Sequence, residues 1–254
     1  MTSTKVRVER HGALAELVLS APERSNAIDL DFAEQLREAM AGIAVADGLH
    51  AVLVRAEGKN FCVGGDLRSF AVQGEQLPTY VKAVTDAAHQ ALESLAGLPI
   101  PVVSAVQGAV AGAGVGLAFA GDVVLIARSS KIRLAYTAIG LSPDNGSSWL
   151  LPRLVGPRRA LDLALTNRTV SAADAVAWGL ANEVVDDSDL TDRAHAIAVL
   201  LAEGPREALV ATKRLFRSAD DLSLHEQLTR EADVISFLAA TSQAQKAIGR
   251  FVAR

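Results

Sequence analysis

The sequence is poor in cysteine and in long apolar runs, and each shortage excludes a class of protein. A single cysteine, Cys62, cannot form an internal disulfide, which argues against a disulfide-stabilised secreted domain. The longest apolar run covers residues 109–120 and is shorter than the roughly 20 residues that span a bilayer. The first ten residues are charged and alternating, unlike a secretory signal. We therefore expect a cytoplasmic protein.

Strong charge of either sign is also missing. The chain has 25 basic and 29 acidic residues, a formal net charge of -4, and no long run of Lys or Arg. Such a surface offers no electrostatic footprint for nucleic acid or for an anionic membrane, so neither partner is expected. With 254 residues, half of them apolar, the chain suits one large domain or a domain with an appended helical part.

The order of apolar patterns predicts a layered α/β core followed by helices. Alternating residues on both sides of His11-Gly12 predict a β-hairpin. The succession of strand, glycine-rich loop and helix then occurs twice, starting at the strand-like segments 51–56 and 102–106. From Trp149 onward the sequence predicts helices almost throughout. We place a core containing the site in residues 1–195 and a helical C-terminal region in residues 196–254.

The segment VAGAGVGLAFAGD, residues 110–122, has three glycines in five positions. Gly112, Gly114 and Gly116 resemble part of a dinucleotide fingerprint, but Leu117 stands where that fingerprint needs its last glycine. A P-loop is also excluded, because no Gly-Lys-Ser/Thr occurs in the chain. The glycines then serve either the close packing of a helix on a sheet or another use of the free backbone.

A second glycine-rich loop, FCVGGDL at residues 61–67, favours a role for backbone N–H groups in binding. Both loops follow strand-like segments, and two such turns can each present a free N–H group to the same oxygen atom. A helix beginning at Ala113 would add the positive end of its dipole. The pair of loops therefore predicts an oxyanion hole, although either loop alone could be an ordinary tight turn.

These segments together resemble the enoyl-CoA hydratase/isomerase (crotonase) family over essentially the whole chain. Four motifs in the same order carry the resemblance: PERSNAID, FCVGGDL, VQGAVAGAGVGLAFAGDVVLIA and IGLSPDNGSSWLLPRLVGPRRALDLALT. The resemblance implies an α/β fold, a spiral of ββα turns with a helical C-terminal trimerisation region. It also implies acyl-CoA thioester substrates, no cofactor beyond the coenzyme A of the substrate, and a homotrimer or dimer of trimers.

The resemblance also implies roles for particular residues. The N–H groups of Gly65 and Ala113 match the family's two donors to the thioester oxygen, and the loop with Arg24, Ser25 and Ala27 matches the segment that lines the CoA nucleotide. The remaining expected substrate contacts are Val63, Asp66, Leu67 and Tyr136. By analogy Phe251 would touch the CoA of a neighbouring subunit, with a packed helical phenylalanine as the alternative.

The acid/base groups decide the reaction within this family. Its hydratases are known for two glutamates, and the matching positions here hold Gly116 and Tyr136, neither of which is a carboxylate. Adding water to a double bond needs one group to activate the water and one to deliver a proton. The sequence therefore argues against efficient hydration. Tyr136 would form a wall of the acyl pocket or donate a hydrogen bond.

Asp144 is the candidate base. In LSPDNG, an Asp after proline is also ordinary turn chemistry or a helix N-cap. The surrounding run resembles a subgroup of isomerases that act on ring-epoxidised phenylacetyl-CoA and on enoyl-CoA double bonds, in which an Asp at this place is the lone base. We expect Leu141 and Trp149 to shield Asp144 from water. One carboxylate can remove a proton from one carbon and return it to another, as an isomerase requires.

Other chemistries have weaker support. Cys62 has no histidine near it in sequence, so a covalent mechanism is not expected. The five histidines have no ligand spacing, so no metal site is expected; they are His11, His50, His89, His195 and His225. We predict an acyl-CoA isomerase with Asp144 as acid/base. Two alternatives remain open: an enoyl-CoA hydratase that works through Asp144 alone, and a non-catalytic acyl-CoA-binding protein.

Overall fold

The computed structural model describes residues 4–219 and 222–252 and confirms the α/β class. The described strands are β1 (Val6–His11), β2 (Leu14–Leu19), β3 (Ala51–Ala56), β4 (Val102–Val106), β5 (Ala109–Ala111), β6 (Val123–Ala127), β7 (Lys131–Arg133), β8 (Val170–Ser171) and β9 (Glu183–Val185). The described α-helices are α1 (Leu30–Val45), α2 (Leu67–Ala71), α3 (Leu77–Gly97), α4 (Ala113–Phe119), α5 (Ser147–Val155), α6 (Pro157–Thr166), α7 (Ala172–Ala177), α8 (Leu190–Ala202), α9 (Arg206–Arg217), α10 (Leu224–Ala239) and α11 (Ser242–Val252).

A six-stranded sheet forms the centre of the molecule, with strand order β1-β2-β3-β4-β6-β9. The hairpin predicted around His11-Gly12 is present, because β1 and β2 pair antiparallel with Val6 opposite Leu19. The other neighbouring strands of this sheet run parallel. A smaller sheet of order β5-β7-β8 lies after the second glycine loop. The interval after Trp149 is therefore not wholly helical, since β8 and β9 lie in it.

Buried apolar residues cover both faces of the central sheet. On one face α1 and α3 pack together and bury, among others, Phe32, Leu36 and Leu95. Helix α1 begins after Asp29, whose side chain caps it by accepting the N–H of Phe32. On the other face the small residues of α8, such as Ala194, lie against β3 and β4. Two covered faces explain why the parallel strands are mostly apolar, with β6 (VVLIA) apolar throughout.

Helix α8 crosses the boundary that we placed between residues 195 and 196. It buries Leu190, Ala194, Ala198 and Ala202 on the central sheet. Its packing is thus the same on both sides of the boundary, and residues as far as Ala202 pack with the core. The division into two parts stays a prediction, with α9, α10 and α11 as its helical part.

The last three helices differ from the rest of the described chain. Among the described residues of α9, α10 and α11, none is buried. Their exposed apolar side chains include Phe216, Leu228, Ile235, Phe237 and Phe251. No helix within residues 4–219 and 222–252 is both long and apolar enough to cross a membrane. The sequence pattern predicts a last helix over residues 242–253, and its predicted end at Ala253 lies outside the described residues.

Candidate active site

An apolar cavity of about 280 Å³ lies where the two glycine loops meet. The loops that follow β3 and β5 supply one side, α3 supplies another, and the segment between β7 and α5 closes the third. Its lining residues are Ile28, Val63, Gly65, Leu67, Phe70, Val81, Val84, Thr85, Ala88, Gly112, Ala113, Leu134, Ala135, Tyr136, Ile139, Leu141, Ser142 and Asp144. The structure therefore brings both predicted donors and the predicted base to one cavity.

Backbone hydrogen bonds join the first glycine loop to its neighbours and leave one N–H in the cavity. The N–H of Ile28 donates to the oxygen of Gly64 at 2.8 Å, and that of Asp66 donates to the oxygen of Ile28 at 2.9 Å. Between them, the N–H of Gly65 has no acceptor among the described residues, and the same holds for Ala113. Both groups remain available to an oxygen atom of a substrate.

The two glycine loops touch each other at Gly64. Its φ is +85°, and a Cβ atom there would lie 2.8 Å from the oxygen of Ala111 and 3.1 Å from the nitrogen of Ala113. The loops are also joined by the N–H of Ala111, which donates to the oxygen of Cys62 at 3.0 Å. Glycine is therefore required at position 64 for two reasons: the backbone there is left-handed, and the two loops approach too closely for a Cβ atom. This contact sets how far apart the two free N–H groups lie.

Asp144 lies in the cavity with Tyr136 as its partner. The hydroxyl of Tyr136 donates a hydrogen bond to Oδ1 of Asp144. Burial and the neighbouring negative charge of Asp144 raise the pKa of Tyr136 well above its usual value. The tyrosine therefore remains a neutral donor over the whole range in which enzymes work. Both uses that the sequence allowed for Tyr136 are present, since it lines the cavity and donates a hydrogen bond.

Of the two residues expected to shield Asp144, one lies in the cavity and the other does not. Leu141 lines the same cavity. Trp149 does not line it; the side chain is 57% exposed, with the guanidinium of Arg153 4.0 Å above its ring. Trp149 lies in α5, which begins at Ser147, and α5 directs it away from the cavity. The alternative that Asp144 is a helix N-cap is not met, because Gly146 is the N-cap residue of α5.

Asn145, which the sequence analysis missed, ties the base segment to both neighbouring helices. Its side-chain Nδ2 donates to the oxygen of Ala113 at 2.7 Å. Its backbone N–H donates to Nε2 of His89 on α3 at 3.1 Å. Its own carbonyl oxygen lies so close to Gly116 that a Cβ atom at residue 116 would overlap it. An Asn after a candidate base was the only sequence signal for this role, and it is a weak one.

A second, more polar cavity of about 310 Å³ adjoins the first. Val63, Gly65 and Leu67 line both cavities. The second cavity is otherwise lined by Glu23, Arg24, Ser25, Ala27, Asp66 and Arg68. All the predicted substrate contacts thus lie in one of two adjoining spaces. Arg24 forms an ion pair with the buried Asp66, whose carboxylate also caps α2 by accepting the N–H of Arg68 at 3.0 Å.

Two other residues considered from the sequence lie outside these cavities. Cys62 is fully buried, and burial raises the pKa of its thiol to about 12, so the reactive thiolate is disfavoured. Phe251 on α11 is 81% exposed. The fold of the single chain therefore does not pack Phe251 into its own core, and its expected contact with a neighbouring subunit stays a prediction.

One group of possible metal ligands was not visible in the sequence spacing. Glu9, His11 and Glu16 bring ligand atoms within 4.8 Å of one another on the β1–β2 hairpin. Nε of Arg55 donates to Glu16 at 2.5 Å, and Nη2 of Arg55 donates to Glu9 at 2.9 Å. Nε of Arg7 also donates to Glu9, at 2.6 Å, so both carboxylates are already paired with arginines. The hairpin pairing of β1 with β2, rather than spacing along the chain, forms the group.

Several known proteins are similar to this chain over most of its length. Residues 9–254 match the model of a family described as enoyl-CoA hydratase/isomerase. The chain is 36% identical over 239 residues to the 1,2-epoxyphenylacetyl-CoA isomerase of Escherichia coli K12, covering 94% of this chain and 91% of that protein. It is also 36% identical over 253 residues to a protein of Rhodobacter capsulatus named "Probable enoyl-CoA hydratase", covering 99% and 96%. A crystal structure of an enoyl-CoA hydratase from Polaromonas sp. JS666 superimposes with a TM-score of 0.90 at 30% identity, covering 98% and 96%.

Proposed function

Because the chain belongs to the enoyl-CoA hydratase/isomerase family, we propose that it is an acyl-CoA isomerase with Asp144 as its single acid/base. It moves a double bond, or isomerises a ring-epoxidised phenylacetyl-CoA like the relative from Escherichia coli. One observation carries the proposal. Among the described residues, Asp144 is the single carboxylate that lines the apolar cavity containing the N–H groups of Gly65 and Ala113.

The proposed chemistry needs one base and one oxyanion hole. The thioester oxygen of the substrate accepts hydrogen bonds from Gly65 and Ala113. The carboxylate of Asp144 then removes a proton from the α or γ carbon, and the electron pair delocalises into the thioester as a dienolate. The protonated Asp144 returns the proton to the other carbon, which completes the shift of the double bond. No water is consumed, and the base ends in its starting state.

Hydration is less well supported for a steric reason as well as a chemical one. A side chain at position 116 would overlap the carbonyl oxygen of Asn145, so the first glutamate of the hydratases has no room here. The second glutamate is replaced by Tyr136, which remains protonated because burial and Asp144 raise its pKa. Neither position can hold the base that activates water.

The second cavity supports coenzyme A as the carrier of the acyl group. It is polar, contains Arg24 and Ser25, and joins the acyl cavity at Gly65. A thioester oxygen held by Gly65 would leave the acyl chain in the apolar space and the nucleotide in the polar space. An arginine is suited to phosphate groups because its guanidinium can donate two hydrogen bonds at once.

Proton exchange tests the proposal directly. The substitution Asp144→Ala should abolish deuterium incorporation at the α and γ carbons of a 3-enoyl-CoA in D₂O, by at least about 10³-fold, because the lone base is removed. Binding of the acyl-CoA should remain nearly unchanged, since the donors and both cavities are intact. Exchange at the parental rate in Asp144→Ala would overturn the assignment of the base.

A panel of substrates separates the alternatives. The parent enzyme should convert 3-enoyl-CoA or ring-epoxidised phenylacetyl-CoA and form little 3-hydroxyacyl-CoA from crotonyl-CoA. Substantial hydration of crotonyl-CoA would favour the hydratase. Affinity for CoA thioesters without exchange at either carbon in any of them would identify a non-catalytic binding protein.

We further propose that the protein is a homotrimer or a dimer of trimers. The exposed apolar side chains of α9, α10 and α11 support it, because so much apolar surface is unusual on a monomer. In solution we expect a mass of three or six chains by light scattering. A monomeric mass at micromolar concentration would contradict this proposal.

A further inference from the structure

Asn145 is buried and adopts a backbone conformation that costs free energy. It is 1% exposed, and its φ is +45° in the left-handed region, where Asn is tolerated better than most residues. Its Oδ1 has no hydrogen-bond partner among the described residues. A buried residue with these costs needs a compensating role. The two hydrogen bonds that it does make, to Ala113 and to His89, indicate that role.

Those contacts reach the two elements between which a substrate must lie. Ala113 begins α4 and supplies one oxyanion donor, whereas His89 lies on α3, which lines the acyl cavity. The carbonyl oxygen of Asn145 also rests against Gly116, one turn further along α4. Asn145 itself does not line either cavity. It can therefore influence a reaction only through its neighbours.

We infer that Asn145 is a positioning residue that fixes the carboxylate of Asp144 relative to the Ala113 donor. The inference rests on the proposed function, because it acts through Asp144. In an isomerase the thioester oxygen must lie at the N–H groups of Gly65 and Ala113. At the same time Asp144 must reach the α or γ carbon, which is two or more bonds away from that oxygen. An error of about 1 Å in that geometry can cost about 10²-fold in rate. Anchoring residue 145 to α4 removes such an error at residue 144.

The substitution Asn145→Gly tests the inference, because glycine accepts the left-handed φ and removes only the side-chain anchor. We expect kcat for proton exchange to fall about 10²-fold, while KM for the acyl-CoA stays within about twofold. The matched control is Asn167→Gly. Asn167 is also an Asn with positive φ and a buried side-chain amide, but it ends α6 and lines neither cavity. Its kcat and KM should both stay within about twofold of the parent.

The contact with His89 gives a second test that does not disturb residue 145. The substitution His89→Leu removes the acceptor of the Asn145 N–H and should lower kcat by about tenfold, as expected for a lost hydrogen bond of about 1 kcal/mol or slightly more. The substitution His89→Gln supplies an amide oxygen as acceptor and should restore most of that rate. A rate that is equal in His89→Leu and His89→Gln would contradict this part of the anchor.

Hydrogen–deuterium exchange gives a readout that needs no turnover. In Asn145→Gly, amides of residues 141–147 should exchange at least about tenfold faster than in the parent and in Asn167→Gly. Unchanged exchange together with unchanged kcat would overturn the inference. A parent that exchanges no substrate protons would overturn the proposed isomerase instead, and amide exchange would still decide whether Asn145 anchors the segment.

Discussion

The two sides of the candidate site are built in opposite ways. The proposed oxyanion side consists of backbone groups at Gly65 and Ala113, which follow strands β3 and β5. The proposed acid/base side consists of side chains, with Asp144 on the non-helical stretch before α5 and Tyr136 hydrogen-bonded to it. The first side depends on where glycine is, whereas the second depends on which side chains are present.

This difference explains how one fold can support different reactions. The backbone donors stabilise the enolate oxygen, which forms in every enolisation of a thioester. This stabilisation needs no particular side chain. The side chains decide where the proton goes. Here Gly116 and Tyr136 stand in place of the two glutamates of the hydratases, and Asp144 is added. These differences change the acid/base side and leave the oxyanion side intact. The reaction of a family member is therefore determined mainly by the side chains of the acid/base side, which lie outside the regular strands and helices.

Apart from the removal of Asp144 itself, the largest expected effect is that of a change on the backbone side. The substitution Gly64→Ala places a Cβ atom 2.8 Å from the oxygen of Ala111 and 3.1 Å from the nitrogen of Ala113, at a φ of +85°. The loops must separate, so at least one N–H leaves its place. Loss of one oxyanion donor typically costs about 10²–10³-fold in kcat, and we expect that range. Steady-state kinetics on the best substrate of the panel would measure it.

The control for this substitution is Gly12→Ala in the β1–β2 hairpin. Gly12 also has a positive φ, +61°, but apart from its neighbours in the chain no heavy atom of the described residues lies within 4 Å of a Cβ atom placed there. It should lose about 1–2 kcal/mol of stability from the strained backbone and retain the parental kcat. An equal loss of kcat in both variants would mean that glycine at 64 serves folding rather than the site.

The sequence predicts most of the fold because its strands and helices are long enough to show a period. The hairpin, β3, β4, β6 and the long helix α3 all agree with their apolar patterns. The strands β5, β7, β8 and β9 were not predicted. Each has only two or three residues, so alternation cannot be recognised, and pairing with distant strands forms them. The site depends on these strands, since β5 leads into the second glycine loop.

Much of the site could be predicted, but its supporting contacts could not. Glycine patterns predicted an oxyanion hole, whereas only family resemblance assigned its donors to Gly65 and Ala113 and favoured Asp144 over an ordinary turn. The partners of residues 144 and 145 lie 8 to 56 positions away in sequence, and no local pattern joins them. The steric role of Gly116 was also hidden. The missing glutamate was visible in the sequence, but the reason that none fits, the carbonyl of Asn145, appears only in the fold.

The smallest expected effect concerns the acid/base side of the candidate site. The substitution Tyr136→Phe keeps the ring that lines the cavity and removes the hydrogen bond to Asp144. That bond holds the carboxylate in one orientation, and its loss leaves Oδ1 of Asp144 without this partner. We expect kcat, measured by steady-state kinetics, to fall only about tenfold, because the carboxylate is less well oriented but still present.

Tyr80→Phe is the matched control for that substitution. The hydroxyl of Tyr80 accepts the N–H of Leu30 at 3.2 Å and lies outside the cavity, so its removal should leave kcat within about twofold of the parent. A loss of kcat in Tyr136→Phe but not in Tyr80→Phe therefore reports the contact of Tyr136 with the proposed base. If both variants keep the parental kcat, the hydrogen bond only packs the cavity wall, and the acid/base side reduces to Asp144 alone.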